Sequence, residues 1–159
     1  MNNYVVIDIE TSGLDPKTSE IIKASALKVK NGEITERFSE LVKPEKPIPE
    51  EAETLTGITR KSLENARTVT DVLPELIAFI GDYPVVAHNV GFHLKFVKSA
   101  LKKLKLPPIK NETVDTLALA YEKCNLETYA LRAVAKSLAI DGSGMSDEEI
   151  AFNVYEKLK

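Results

Sequence analysis

The stretch Val5-Val6-Ile7-Asp8-Ile9-Glu10-Thr11-Ser12-Gly13-Leu14 decides how this chain folds. Val5 to Ile9 is apolar and mostly β-branched, a composition that favours a strand. Side chains alternate faces along a strand, so Asp8 and Glu10 point the same way. At ~3.3 Å rise per residue their Cα atoms are roughly 6–7 Å apart. A carboxylate inside an apolar strand must be paired or bind a metal. Two on one face suit hard divalent cations, which take oxygen ligands. The small side chains and glycine of Thr11, Ser12, Gly13 and Leu14 allow a tight turn that brings backbone N–H groups towards a phosphate or sugar. The plainer alternative has Asp8 at a strand end and Glu10 opening a turn. The cost of burying Asp8 unpaired weighs against it.

Outward from this strand the pattern is that of a mixed sheet with helices. Residues 20–30 read as a second strand, Asn31-Gly32 as a two-residue hairpin turn, and 33–42 as the returning strand. Pro44, Pro47 and Pro49 mark an irregular connection. Short helices are expected over Glu50–Leu55 and Arg60–Ala66, separated at Gly57. A longer amphipathic helix follows over Thr68–Ile80, with Val69, Val72, Leu73, Leu76, Ile77 and Ile80 on one face. Val85 to Asn89 is a short buried strand, 91–105 a helix, and Val114-Asp115 a strand end with Asp115 capping a helix over 116–123. Helices over Glu127–Leu138 and Asp147–Leu158 complete an α/β order with a mixed central sheet covered by helices. No repeat or linker divides it, so a single domain over 1–159 is expected.

Composition narrows the functional classes. With 43 % hydrophobic and 28 % charged residues the chain has the balance of a globular protein able to bury a core. Its one cysteine, Cys124, excludes an intrachain disulfide and fits a reducing compartment. No signal-peptide pattern and no membrane-length apolar run are present, so a cytoplasmic protein with no membrane partner is expected. The net charge of −3 argues against tight, sequence-independent duplex binding. A local nucleic-acid site charged by metal ions stays open.

A second informative stretch is Ala87-His88-Asn89-Val90-Gly91-Phe92-His93, where a strand hands over to a helix. Together the motifs resemble the DEDD exonucleases, and within them the proofreading 3′→5′ exonuclease of bacterial DNA polymerase III. Asp8-Ile9-Glu10-Thr11-Ser12-Gly13-Leu14 resembles the first motif. Thr56-Gly57-Ile58-Thr59 is similar to the connecting turn, and Ala87-His88-Asn89-Val90-Gly91-Phe92 to the second motif. Val114 to Ala120, Tyr129-Ala130-Leu131 and Leu138-Ala139-Ile140 continue the likeness over nearly the whole chain. The resemblance implies a ribonuclease-H-like fold, a divalent metal cofactor (Mg²⁺ or Mn²⁺) and hydrolysis at single-stranded DNA 3′ ends. It also implies other replication or repair proteins as candidate partners. It places Asp8 and Glu10 as catalytic acids and metal ligands, joined by Asp147. Thr11, Ser12, Gly13, Leu14 and Phe92 would lie at the terminal nucleotide.

The departures matter as much. The family carries a metal-binding aspartate where this chain has His93, which enters the expected ligand set as a nitrogen donor better suited to Mn²⁺ than Mg²⁺. Five residues before Asp147 the family carries a general-base histidine, and here stands Gly142. Weakened or lost activity follows. The alternative is a catalytically silent nucleic-acid-binding or scaffolding module of the same fold. Each residue has a plainer reading as well. Ser146-Asp147-Glu148-Glu149 matches a capping box, and acids in a first helical turn suit the dipole. His88 reads as a packed strand-end residue, Phe92 as core, and His93 equally as an ordinary, partly exposed helix residue. Lys95, Lys98, Lys102 and Lys105 share one helical face, more often a solvated surface than a phosphate track.

Overall fold

The sheet grows from β1, Tyr4–Thr11. A computed structural model describes all residues, 1–159. β1 pairs antiparallel with β2 (Ile21–Lys30), which pairs antiparallel with β3 (Glu33–Lys43). The hairpin turns where expected: Asn31 and Gly32 both have positive φ, 54° and 79°, as a two-residue turn matched to strand twist requires. On its other side β1 pairs in parallel with β5 (Val85–Ala87), and β5 with β6 (Thr113–Asp115). A two-residue strand, β4 (Arg67–Thr68), adds in parallel to β3 and completes the order β4-β3-β2-β1-β5-β6. No apolar pattern in the sequence marks β4, because both residues are exposed.

Seven helices cover the sheet: α1 (Glu50–Thr56), α2 (Arg60–Leu63), α3 (Val69–Ile80), α4 (Val90–Lys103), α5 (Thr116–Lys123), α6 (Leu131–Ser137) and α7 (Asp147–Leu158). None is long and apolar enough to cross a membrane. Strand parity sorts β1 between two cores. Odd-numbered Val5, Ile7 and Ile9 pack with Val72, Leu73 and Leu76 of α3 and Phe96, Val97 and Leu101 of α4. Even-numbered Tyr4 and Val6 pack with Ala151 and Tyr155 of α7. Asp8 and Glu10 continue the even face, so the fold aims them at the start of α7.

The helix expected over 127–138 is shorter than its sequence pattern, beginning only at Leu131. The Tyr129 hydroxyl donates to the Cys124 carbonyl and accepts from the Leu126 N–H (3.0 and 3.1 Å), while the Tyr129 carbonyl takes a bond from His88 (2.7 Å). Two local bonds of the Tyr129 hydroxyl and one long-range bond from His88 hold the segment before Leu131 in a loop and override its helical propensity.

Candidate metal centre and nucleic-acid site

Three carboxylates meet at the C-terminal end of β1. One oxygen each from Asp8, Glu10 and Asp147 lies within 4.8 Å of the others. β1 supplies the first two by parity, and the first turn of α7 the third. The N-terminal end of α7 is where a helix dipole favours anions, and Asp147, Glu148 and Glu149 all stand there. Burial raises the pKa of Asp8, and Asp147 and Glu148 raise it further. Burial and the neighbouring Asp8 charge raise that of Glu10. Hard oxygen donors held together against their own repulsion fit a divalent cation. Glu148, 8 % exposed, adds negative charge beside the cluster. Sequence reasoning passed over it because an acid in a first helical turn looks like an ordinary dipole partner.

His93 is buried, at 8 % exposure, rather than partly exposed. Its Nδ1 accepts the Ile9 N–H at 3.0 Å, and its Nε2 donates to the His88 carbonyl at 3.0 Å. A carbonyl only accepts, so Nε2 carries the proton and the lone pair of Nδ1 is spent on Ile9. Neither nitrogen therefore offers a lone pair to a metal, although Nε2 lies 3.9 Å from Asp8 Oδ1. Burial lowers the pKa of His93, consistent with a neutral ring. Its place is set by β5, which is paired with β1 only at Val5 and Val6. Beyond that pairing the N–H of Ile9 needs a buried acceptor, and the imidazole provides it.

His88 is engaged in the same way. Nε2 donates to the Tyr129 carbonyl (2.7 Å), and Nδ1 sits 2.9 Å from the Thr116 hydroxyl, which donates to it. The chain has two histidines, and both are locked onto the backbone. No imidazole remains to act as a base. At Gly142 a side chain would meet Ile150: an added Cβ lies 3.1 Å from Ile150 Cδ1 and 3.5 Å from Arg132 Nη1.

Arg132 is a further residue that motif reading missed. It lies on α6, outside both informative stretches, and its Nη2 donates to Asp147 Oδ1 at 3.0 Å. This pair puts a fixed cation on one of the three acids. The capping box is not formed. The Ser146 hydroxyl donates to the Glu149 carboxylate (3.0 Å) and makes no bond to a backbone N–H.

In the Thr11–Leu14 loop one of the expected N–H donors, that of Ser12, is already taken. Ser12 spends its N–H on the Glu20 carbonyl and its Oγ on the Glu20 N–H, both at 2.9 Å. The Thr11 hydroxyl donates to the Gly13 carbonyl (2.6 Å). Gly13 is required by space, since a Cβ there would fall 2.2 Å from Ser19 Oγ. The loop presents Leu14 instead, a large apolar side chain 78 % exposed. Phe92, half-buried on the first turn of α4, stacks at a tilt on Phe96 and edge-on to His93.

Comparison with known proteins agrees with this geometry. A family model described as Exonuclease, of RNase T type, matches residues 5–155. The chain is 38 % identical to the DNA polymerase III subunit epsilon of Aquifex aeolicus, over 98 % of this chain and 79 % of that protein. It is 39 % identical to the PolC-type DNA polymerase III of Thermotoga maritima over 86 % of this chain, but spans only 10 % of that much longer relative. Among solved structures, a product-bound exonuclease I superposes with a TM-score of 0.86 at 16 % identity, over 98 % of this chain and 43 % of that one. Exonuclease X in complex with 5′-overhanging duplex DNA gives 0.71 at 24 % identity, over 96 % and 89 %. The fold is therefore that of the exonucleases, ribonuclease-H-like, and the chain belongs to the RNase T exonuclease family, as an exonuclease domain homologous to the proofreading epsilon and PolC exonucleases of DNA polymerase III.

Proposed function

We propose that this domain holds the 3′ end of a single DNA strand at a divalent metal centre and hydrolyses it slowly. One observation carries the reading: three acids converge while every imidazole in the chain is committed to the backbone. A Mg²⁺ or Mn²⁺ ion held by Asp8, Glu10 and Asp147 would supply charge neutralisation and an activated water. The chain's own residues do the rest. His93 bonds the backbone between Asp8 and Glu10 and so orients both carboxylates; it is a positioning residue. Leu14 and Phe92, with Thr11 to Gly13 shaping the loop between, contact the terminal nucleotide. Without a base at position 142, hydrolysis lacks a contribution of ~10²–10⁴-fold. The kinship with polymerase III subunits supports action beside a replicative polymerase in the cytoplasm, with other replication proteins as partners.

The test is release of nucleotides from a 5′-labelled single strand with Mg²⁺ or Mn²⁺, with Asp8→Ala as control. We expect slow, metal-dependent shortening from the 3′ end, abolished by Asp8→Ala. An all-oxygen ligand set predicts Mg²⁺ at least as effective as Mn²⁺. A clear Mn²⁺ preference would return His93 to the ligand set. The Arg132–Asp147 pair favours a second reading, a silent module that binds the strand without cutting it. Strand binding with no product in either metal would select it.

A further inference from the structure

We infer that the exposed face of α4 and the segment after it form the track along which the DNA strand leaves the site. This rests on the reading of the domain as a single-strand binder. Residues 90–111 contain six lysines, Lys95, Lys98, Lys102, Lys103, Lys105 and Lys110, and no aspartate or glutamate. They carry +6 in a chain of net charge −3, so the other residues together carry −9. All six are exposed. None takes part in any of the eight ion pairs of the molecule, from Lys28–Glu36 to Lys159–Glu156. What sets this stretch apart is that its lysines follow one another with no acid between them, so their positive fields add towards an outside polyanion.

Position identifies the polyanion. α4 begins at the site: Phe92 and His93 stand in its first turn, and Lys95 lies over the Phe92 ring at 4.7 Å. At ~1.5 Å per residue, Lys95 to Lys103 on α4 continues the line for about 12 Å from the start of the helix. A cavity of about 560 Å³ flanks the helix. Its lining includes Pro16 and Ser19, just after the Thr11–Leu14 loop, the cations Lys43 and Lys103, and the acids Glu20 and Glu45. The acids repel a strand and need a metal to hold its end. The lysines attract its phosphates without one. The two halves divide the work between chemistry and grip.

The experiment measures anisotropy of a labelled single-stranded 20-mer against salt, in EDTA so that nothing is cut. Three proteins are compared: the unsubstituted chain, Lys95→Ala/Lys98→Ala/Lys102→Ala, and Lys30→Ala/Lys46→Ala/Lys61→Ala. The last removes the same charge from exposed lysines elsewhere. For single strands the slope of log K against log salt is about −0.7 per phosphate contact, so the α4 triple should flatten it by about 2. The expected loss of affinity at low salt is at least tenfold, with the control triple near the parent. Equal effects of the two triples would reduce the face to bulk charge and overturn the inference alone. So would an α4 triple that behaves like the parent. An unsubstituted chain that binds an oligoglutamate but no DNA would assign the face to an acidic protein segment. That result overturns this inference together with the reading it rests on.

Discussion

The two halves of the acidic site are built by different physics. Asp8 and Glu10 sit on a strand between two others, and their direction follows from strand parity and the register with β2. Asp147 sits at the rim, its side chain 38 % exposed and tied to Arg132, after a loop in which Ala139 and Gly144 have positive φ. The strand half cannot move without unzipping the sheet. The helix half can change partners at little cost. Both departures from the family pattern lie outside the strand: Gly142 in the loop before α7, and His93 buried on α4. The backbone of β1 enforces the placement of two acids, whereas the placement of the third rests on one helix end.

The comparison breaks most sharply at the strand. Asp8→Ala removes an oxygen donor fixed by the β1 backbone. Divalent binding measured by calorimetry should weaken by at least about 100-fold, in the range of losing an essential oxygen donor of a hard cation. Binding within a few-fold of the parent would mean that Glu10 and Asp147 suffice.

His93→Asp tests the brace. It deprives the buried His88 carbonyl of its donor and adds a carboxylate beside Asp8. Leaving a buried acceptor unpaired costs about 1–3 kcal/mol, and each kcal/mol shifts Tm by ~2–4 °C in a domain of this size. Thermal melts should show that loss without metal, and Mg²⁺ should recover much of it. Cleavage should rise little, because no base has been restored. Gly142→His should not supply one, since its side chain starts against Ile150. A large gain in rate from the double substitution would show that the loop repacks.

pH separates the halves as well. The strand carboxyls have raised pKa values in the fold, with Glu10 pushed up to about 8 from an ordinary 4.5. A group whose folded pKa is raised contributes stability that is full below the unfolded pKa and is lost as pH rises through the folded one. The metal-free protein should therefore lose Tm steadily between about pH 4.5 and 8, beyond the trend of a Glu10→Gln control. Saturating Mg²⁺ should flatten the decline, and its uptake at pH 7 should release protons. A flat metal-free profile would show that neither burial nor the Asp8 charge raises the Glu10 pKa in the fold.

The smallest effect belongs to Arg132→Ala. Exposed ion pairs are worth ~0–1 kcal/mol, so freeing Asp147 should tighten divalent binding by no more than about fivefold. A weakening would instead make Arg132 a support that holds Asp147 in place.

Much of this protein is determined by its sequence alone. β-branched residues of alternating parity place Asp8 and Glu10 on one face, Asn31-Gly32 turns a hairpin, and Asp115 caps α5 by accepting the Leu117 N–H at 2.9 Å. These features depend on neighbours a few residues away, and local sterics and hydrogen bonding decide them. Only the tertiary structure decided the rest. Asp147 becomes a site residue because α7 packs along the even face of β1. His93 turns from candidate ligand to brace because β5 stops short of Ile9. Arg132 enters the site from a helix that no motif marks, and Tyr129 holds a helical sequence in a loop. Each involves a contact beyond the local pattern of its own segment: α7 on β1, His93 on Ile9, Arg132 on Asp147 and His88 on Tyr129.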